Sequence, residues 1–210
     1  SPVTPAPAAS LDLGIGQQRA QGRSVTCRKG CDTCCRAQPV PVTPAETLAV
    51  ARLVQAMPAA RQARVRARFA DGVARLRQAG LADLQLRDAP TTSAQQARAI
   101  SATYFSLGLA CPFLEDGACS IHADRPFVCR EYLVTSPATL CADPLNAPVA
   151  VVPVPLRPVG AMLQVATAVT GRPQLTVPLI LALVYAERHA PELQRTADAR
   201  QTLADWLDAL

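Results

Sequence analysis

Aromatic rings are scarce in this 210-residue chain, at 4% of its residues. Half of the residues are apolar, so the core must be built largely from Ala, Leu and Val, which points to helices rather than a β-sandwich. Lysine is almost missing too: Lys29 is the only one, and arginine carries nearly all of the positive charge behind the net +5. Arginine forks suit carboxylate and phosphate partners, although a modest charge spread over several helices is also ordinary wet surface. No long apolar run is present. The longest, residues 175–186, is too short to span a bilayer, which argues for a soluble protein without a membrane segment. No P-loop, no Ser/His/Asp set and no paired-carboxylate motif occurs, so no catalytic constellation marks the chain as an enzyme. Residues 1–24 lack the basic start and apolar run of a signal peptide, while the start at Ser1 rather than Met leaves a removed signal open.

Cysteine, by contrast, is abundant. Cys27, Cys31, Cys34 and Cys35 fall within nine residues, and Cys111, Cys119, Cys129 and Cys141 follow. A structural cysteine behaves as a small hydrophobe and usually stands alone. Thiols at turn spacing, with Gly30 available for positive φ, can instead converge on one soft metal centre. Disulfides are the other use of eight cysteines, but scaffolds of that kind are short and loop-rich, whereas this chain carries long helical patterns. Thiolates holding metal imply a reducing, cytoplasmic setting. Cys31 and Cys34 have the two-residue separation that lets two thiolates share a tetrahedral ion. Adjacent Cys34 and Cys35 chelate one ion poorly, which suggests two metals, a multinuclear cluster, or one ligand and one spare thiol. Zinc (Zn2+) and an Fe-S cluster, including 4Fe-4S, both accept such a donor set, and spacing alone does not separate them. Cys27-x3-Cys31-x2-Cys34 also matches the spacing that leaves one iron open for S-adenosylmethionine, but no run of alternating strands follows it.

The remaining pattern is mainly α. Residues 1–24, starting with a Pro/Ala-rich stretch, read as a disordered tail, and 25–210 as a single cysteine-cluster metal-binding domain. Thr43-Pro44-Ala45-Glu46 is a helix start with a capping box. A second helix spans about 59–79, with Val65, Phe69, Val73 and Leu76 as its apolar stripe and Gly80 as its cap. Arg61, Arg64, Arg66, Arg68, Arg75 and Arg77 lie mostly off that stripe, a face suited to an acidic protein partner. Without interleaved aromatics for base stacking, nucleic acid is not expected. A third helix covers about 94–107, capped by Ser93 or a neighbouring Thr. Asp116-Gly117 between short apolar segments signals a β-hairpin carrying Cys119. Asp124-Arg125-Pro126 reads as the capped start of a short helix presenting Cys129 and Arg130, with Cys141 in a loop beyond. Residues 149–155 suit an extended edge, and helices are expected at about 158–169, 177–189 and 191–209, the last docking Leu193, Leu203, Trp206 and Leu207 on the core.

Taken together, the cluster at Cys27/Cys31/Cys34-Cys35, the run Cys111-Pro-Phe-Leu with Cys119-Ser-Ile-His, and Arg125-Pro-x-x-Cys129-Arg130 resemble the YkgJ-type cysteine-cluster family, a zinc- or iron-chelating domain. The resemblance spans about residues 27–141. It implies that the eight cysteines are ligands or their close neighbours. His122 stands where that family commonly has Tyr, and is either an added ligand or, more in keeping with base rates, a surface or core residue. Arg130 is placed to hydrogen-bond cluster sulfur or the chain around it. The roles compatible with such a centre are structural, redox, metal storage or delivery, and accessory to a protein-modifying, lysine methylation-like reaction of the kind that some larger relatives suggest.

Overall fold

The structure is a computed structural model that describes residues 6–82, 93–155, 157–170, 176–191 and 193–194. In chain order its helices are α1 (Ala6–Ala20), α2 (Pro44–Gln55), α3 (Ala59–Gln78), α4 (Ala94–Ser106), α5 (Phe127–Glu131), α6 (Pro158–Thr170) and α7 (Ala182–Arg188). The strands are two residues each: β1 (Pro41–Val42), β2 (Leu114–Glu115), β3 (Ala118–Cys119) and β4 (Val177–Pro178). The protein is mainly α, and none of its described helices is long and apolar enough to cross a membrane. The chain divides into two compact units, Ser1–Val40 with Ala94–Ala161, and Pro41–Ser93 with Met162–Leu210.

The second unit is built from well-terminated helices. At the start of α2, Thr43 Oγ1 accepts the Glu46 N–H at 3.3 Å, and the Glu46 carboxylate accepts the Thr43 N–H at 2.8 Å. This reciprocal pair closes the capping box foreseen from the sequence, and it is buried. In α3 the stripe of Val65, Phe69, Val73 and Leu76 is buried as the spacing required. The helix ends where Gly80 takes a φ of +70°, with Gly80 N–H bonded to Arg77 O and Leu81 N–H to Leu76 O at 2.9 Å each. Those two bonds form a Schellman cap, and the left-handed φ explains the glycine. Strands β1 and β4 pair antiparallel, Pro41 with Pro178 and Val42 with Val177. That pairing alters the helix expected over 177–189. Pro178 is extended, a 3-10 turn covers Leu179–Leu181, and the α-helix begins only at Ala182. Beyond Gln194, the helix expected over 191–209 lies outside the described residues, and so do Leu203, Trp206 and Leu207.

The first unit is shorter in its elements and contains every cysteine. Its tail differs from the disordered segment that composition suggested, because Ala6–Ala20 is helical. Pro7 is tolerated in a first turn, and Leu11, Gly14, Ile15 and Gln18 form one face at least half-buried. A Cβ on Gly14 would collide with the Pro153 carbonyl and lie 3.3 Å from Val152, so only glycine allows this close approach. Helix α4 falls where it was expected, with Tyr104 buried. The extended reading of 149–155 is realised as an antiparallel bridge from Val151 to Val134.

Candidate metal centre

The cysteines sit on turns, and each turn has a local cause. Thr26 anchors the first block: its N–H donates to Val134 O at 2.9 Å and its hydroxyl to Ser136 O at 2.6 Å. Gly30, at φ +83°, allows the reversal in which Cys31 N–H reaches Arg28 O at 2.9 Å. Cys34 and Cys35 open a 3-10 turn, Cys34–Arg36. The carbonyl of Cys35 then accepts the Cys111 N–H at 2.7 Å, joining the first block to the hairpin. In that hairpin β2 pairs with β3, Leu114 opposite Cys119. Asp116 and Gly117 both take positive φ, 48° and 71°, the requirement of the tight turn their sequence announced. Ser120 donates from both N–H and Oγ to Phe113 O at 2.9 Å, fixing the ribbon's base.

Cys129 lies on α5, although its start differs from the expected cap. Asp124 ends a 3-10 turn, His122–Asp124, and Pro126 precedes the helix with no side-chain cap. A proline fixed in the extended region sets the entry instead. Cys141 is not in an irregular loop but in a 3-10 turn, Ala138–Ala142, where it is buried. Its carbonyl accepts from Gln38 Nε2 at 2.8 Å, and its sulfur lies 4.0 Å from the Tyr132 hydroxyl.

The thiols of both blocks act on one another. A hydrogen bond with Cys35, then burial, pushes the Cys34 thiol far up. Burial, with the thiolates of Cys119 and Cys34, raises Cys111 to about 12, against lowering by the backbone of Phe113 and Leu114. Cys129 is raised by burial and by Cys111, Cys34 and Cys119, and Cys27 by burial and by Cys31 and Cys34. Cys141 is raised by burial and by Cys34, Cys27 and Cys31. An ionised Cys34 therefore acts on thiols of both blocks. Ionising these thiols sets them against one another, and Arg125 offsets part of that repulsion at Cys27 and Cys129. All eight are free of disulfides, and seven are only half-buried. Among the described residues, no three Cys, His, Asp or Glu side chains already stand as a metal-holding group.

Two contributors were missed in the sequence. Arg125, read there as part of a capped helix start, lowers both Cys27 and Cys129 through its charge. Tyr132, three residues after Cys129, faces Cys141. Neither has a spacing signal, because each meets its thiol through tertiary folding. Arg130 donates to the Arg125 and Ala123 carbonyls at 3.0 and 2.6 Å, so it holds the chain around Cys129. His122 is exposed and its Nε2 pairs with Arg125 Nη1 at 3.1 Å. His189, half-buried, stacks on Tyr185 with ring centres 4.3 Å apart.

Residues 26–145 match the model of the CxxCxxCC family, described as a putative zinc- or iron-chelating domain. This is more than half of the chain, and it contains all eight cysteines. The chain belongs to that family. Metal binding, in the general sense of a zinc- or iron-chelating domain, is thus the activity to which the turns and thiols relate. Neither the curated proteins nor the solved structures gave a match.

Proposed function

We propose that Cys27, Cys31, Cys34, Cys35, Cys111, Cys119, Cys129 and Cys141 form the ligand shell of a cysteine-held metal centre, either zinc or an iron–sulfur cluster, with a structural or redox role. One observation supports this reading: the Cys111 N–H donates to the Cys35 carbonyl at 2.7 Å, so the fold joins the first cysteine block to the second. The bound group supplies positive charge and, if it is a cluster, an electron-transfer site. The chain's own residues do the rest. Gly30 and Asp116-Gly117 shape the turns that carry the thiols, Arg125 favours the ionised form of Cys27 and Cys129, and Tyr132 faces Cys141. Metal-held thiolates would suit a reducing compartment such as the cytoplasm.

A titration of the reduced, metal-free protein with Zn2+, and in parallel with ferrous iron plus sulfide, tests the proposal. Alkylation should show about four or more thiols protected together at saturation. All eight thiols staying reactive at saturating metal would overturn the reading. A second reading, metal storage or delivery, is favoured by the half-buried state of seven cysteines, which leaves room for exchange. Rapid loss of metal to a chelator with the fold retained would support delivery. Retention through prolonged chelation would support a permanent centre. The Arg-rich α3 is the surface we assign to an acidic protein partner, its Arg64, Arg66, Arg68, Arg75 and Arg77 all exposed.

A further inference from the structure

Gln38 ties the first cysteine block to the last cysteine, 103 residues further along the chain. Its backbone N–H donates to Cys34 O at 3.1 Å, closing the 3-10 turn that carries Cys34 and Cys35. Pro39 follows, and a residue before proline is held out of the helical region, so the chain leaves the turn at Gln38. The side chain then reaches the 3-10 turn Ala138–Ala142, where Nε2 donates to Cys141 O at 2.8 Å. Cys141 is buried, and a carbonyl in such a place needs its donor.

The Cys141 sulfur is approached from Tyr132. The Tyr132 hydroxyl lies 4.0 Å from Cys141 Sγ, and it also meets the Gln38 side chain. Tyr132 ends α5, its N–H bonded to Val128 O at 3.0 Å. The chain just beyond is held by Thr26, the residue before Cys27, whose N–H donates to Val134 O at 2.9 Å. Both groups that touch Cys141 are therefore attached to the first block. We propose that Gln38 is a positioning residue that assigns Cys141 to the metal site of Cys27, Cys31 and Cys34, with the Tyr132 hydroxyl beside its sulfur. The thiolates of Cys34, Cys27 and Cys31 also act on the Cys141 thiol, in keeping with that grouping. The inference rests on the metal reading above and adds which thiols belong together.

Gln38→Met keeps the length of the side chain and removes its donors. Alkylation of the Zn2+-loaded proteins, mapped peptide by peptide, tests the proposal. In the wild type, Cys27, Cys31, Cys34 and Cys141 should be protected together. In Q38M, Cys141 should become reactive, and the Zn2+ affinity of its group should fall about 10- to 100-fold, the range for residues that orient metal ligands. Cys119 and Cys129 should stay protected, which a general loosening of the fold would not allow. Tyr132→Phe keeps the ring, removes the hydroxyl and should expose Cys141 in the same way, by less. Unchanged protection of Cys141 in Q38M would overturn the proposal, as would protection lost equally at all eight thiols. Should Q38M fail to fold, unchanged protection of Cys141 in Y132F would overturn it. Eight reactive thiols in the Zn2+-saturated wild type would overturn both this proposal and the metal reading, whereas the other failures leave the metal reading standing.

Discussion

Helix α3 and the cysteine turns show two different ways of closing a structure. Helix α3 runs for 20 residues, buries Val65, Phe69, Val73 and Leu76, and ends in a Schellman cap at Gly80. Its stability is supplied by its own sequence, through apolar burial and satisfied helix ends. The segments carrying the cysteines are 3-10 turns, two-residue strands and the five-residue α5. Backbone bonds such as Cys111 N–H to Cys35 O hold them, yet seven of their eight sulfurs belong to half-buried residues. The helix is complete without a ligand. The thiol turns bring together groups that repel when ionised, a repulsion that a bound cation would offset.

Removing the metal should give the largest effect, and an uneven one. Structural zinc in small zinc domains contributes about 10–16 kcal/mol, comparable to the whole stability of a domain. Hydrogen exchange on chelated protein should show amide protection lost across residues 26–40 and 111–145, which carry the cysteines, and largely kept in α3. Equal loss in both would break the comparison. Cys34→Ser should reproduce much of the chelated pattern, since an ionised Cys34 acts on thiols of both blocks.

Next comes pH. An unfolded cysteine ionises near 9.0, while burial keeps the proton on Cys111 up to about 12. The metal-free native state therefore holds more protons across that window. Its extra stability is full below about pH 9 and is lost as pH rises towards 12. The loaded protein has no ligand protons left to lose and should lack this alkaline drop, which melting curves with and without chelator would reveal.

Changes in the helical unit should be smaller and independent of metal. Phe69→Ala removes a ring that is 2% exposed and should cost about 3–5 kcal/mol in denaturant unfolding, with the metal content unchanged. Gly72→Ala places a Cβ 2.6 Å from Ile180 Cγ1 and should cost about 1–3 kcal/mol by overpacking. Thr43→Ala opens the capping box and should cost about 1 kcal/mol.

The same contrast explains what the sequence made legible. The capping box at Thr43 and Glu46, the stripe and cap of α3, and the Asp116-Gly117 turn are local, with causes a few residues apart. The helix at Ala6–Ala20 escaped notice because its prolines and alanines masked a face that is evident only once Gly14 meets Pro153. The pairing of Pro41 with Pro178 and the action of Arg125 on Cys27 depend on distant segments meeting. Cysteine spacing named candidate donors, but that the Cys111 N–H meets the Cys35 carbonyl, across 76 residues of chain, has no local signal.

The most direct test of the central claim is the metal and acid-labile sulfide content of protein purified without oxygen or chelator. The account predicts at least one tightly held metal per chain: iron with matching sulfide and a brown colour for a cluster, or colourless zinc for a thiolate site. A well-folded protein with eight reactive thiols and neither zinc, iron nor sulfide would contradict it.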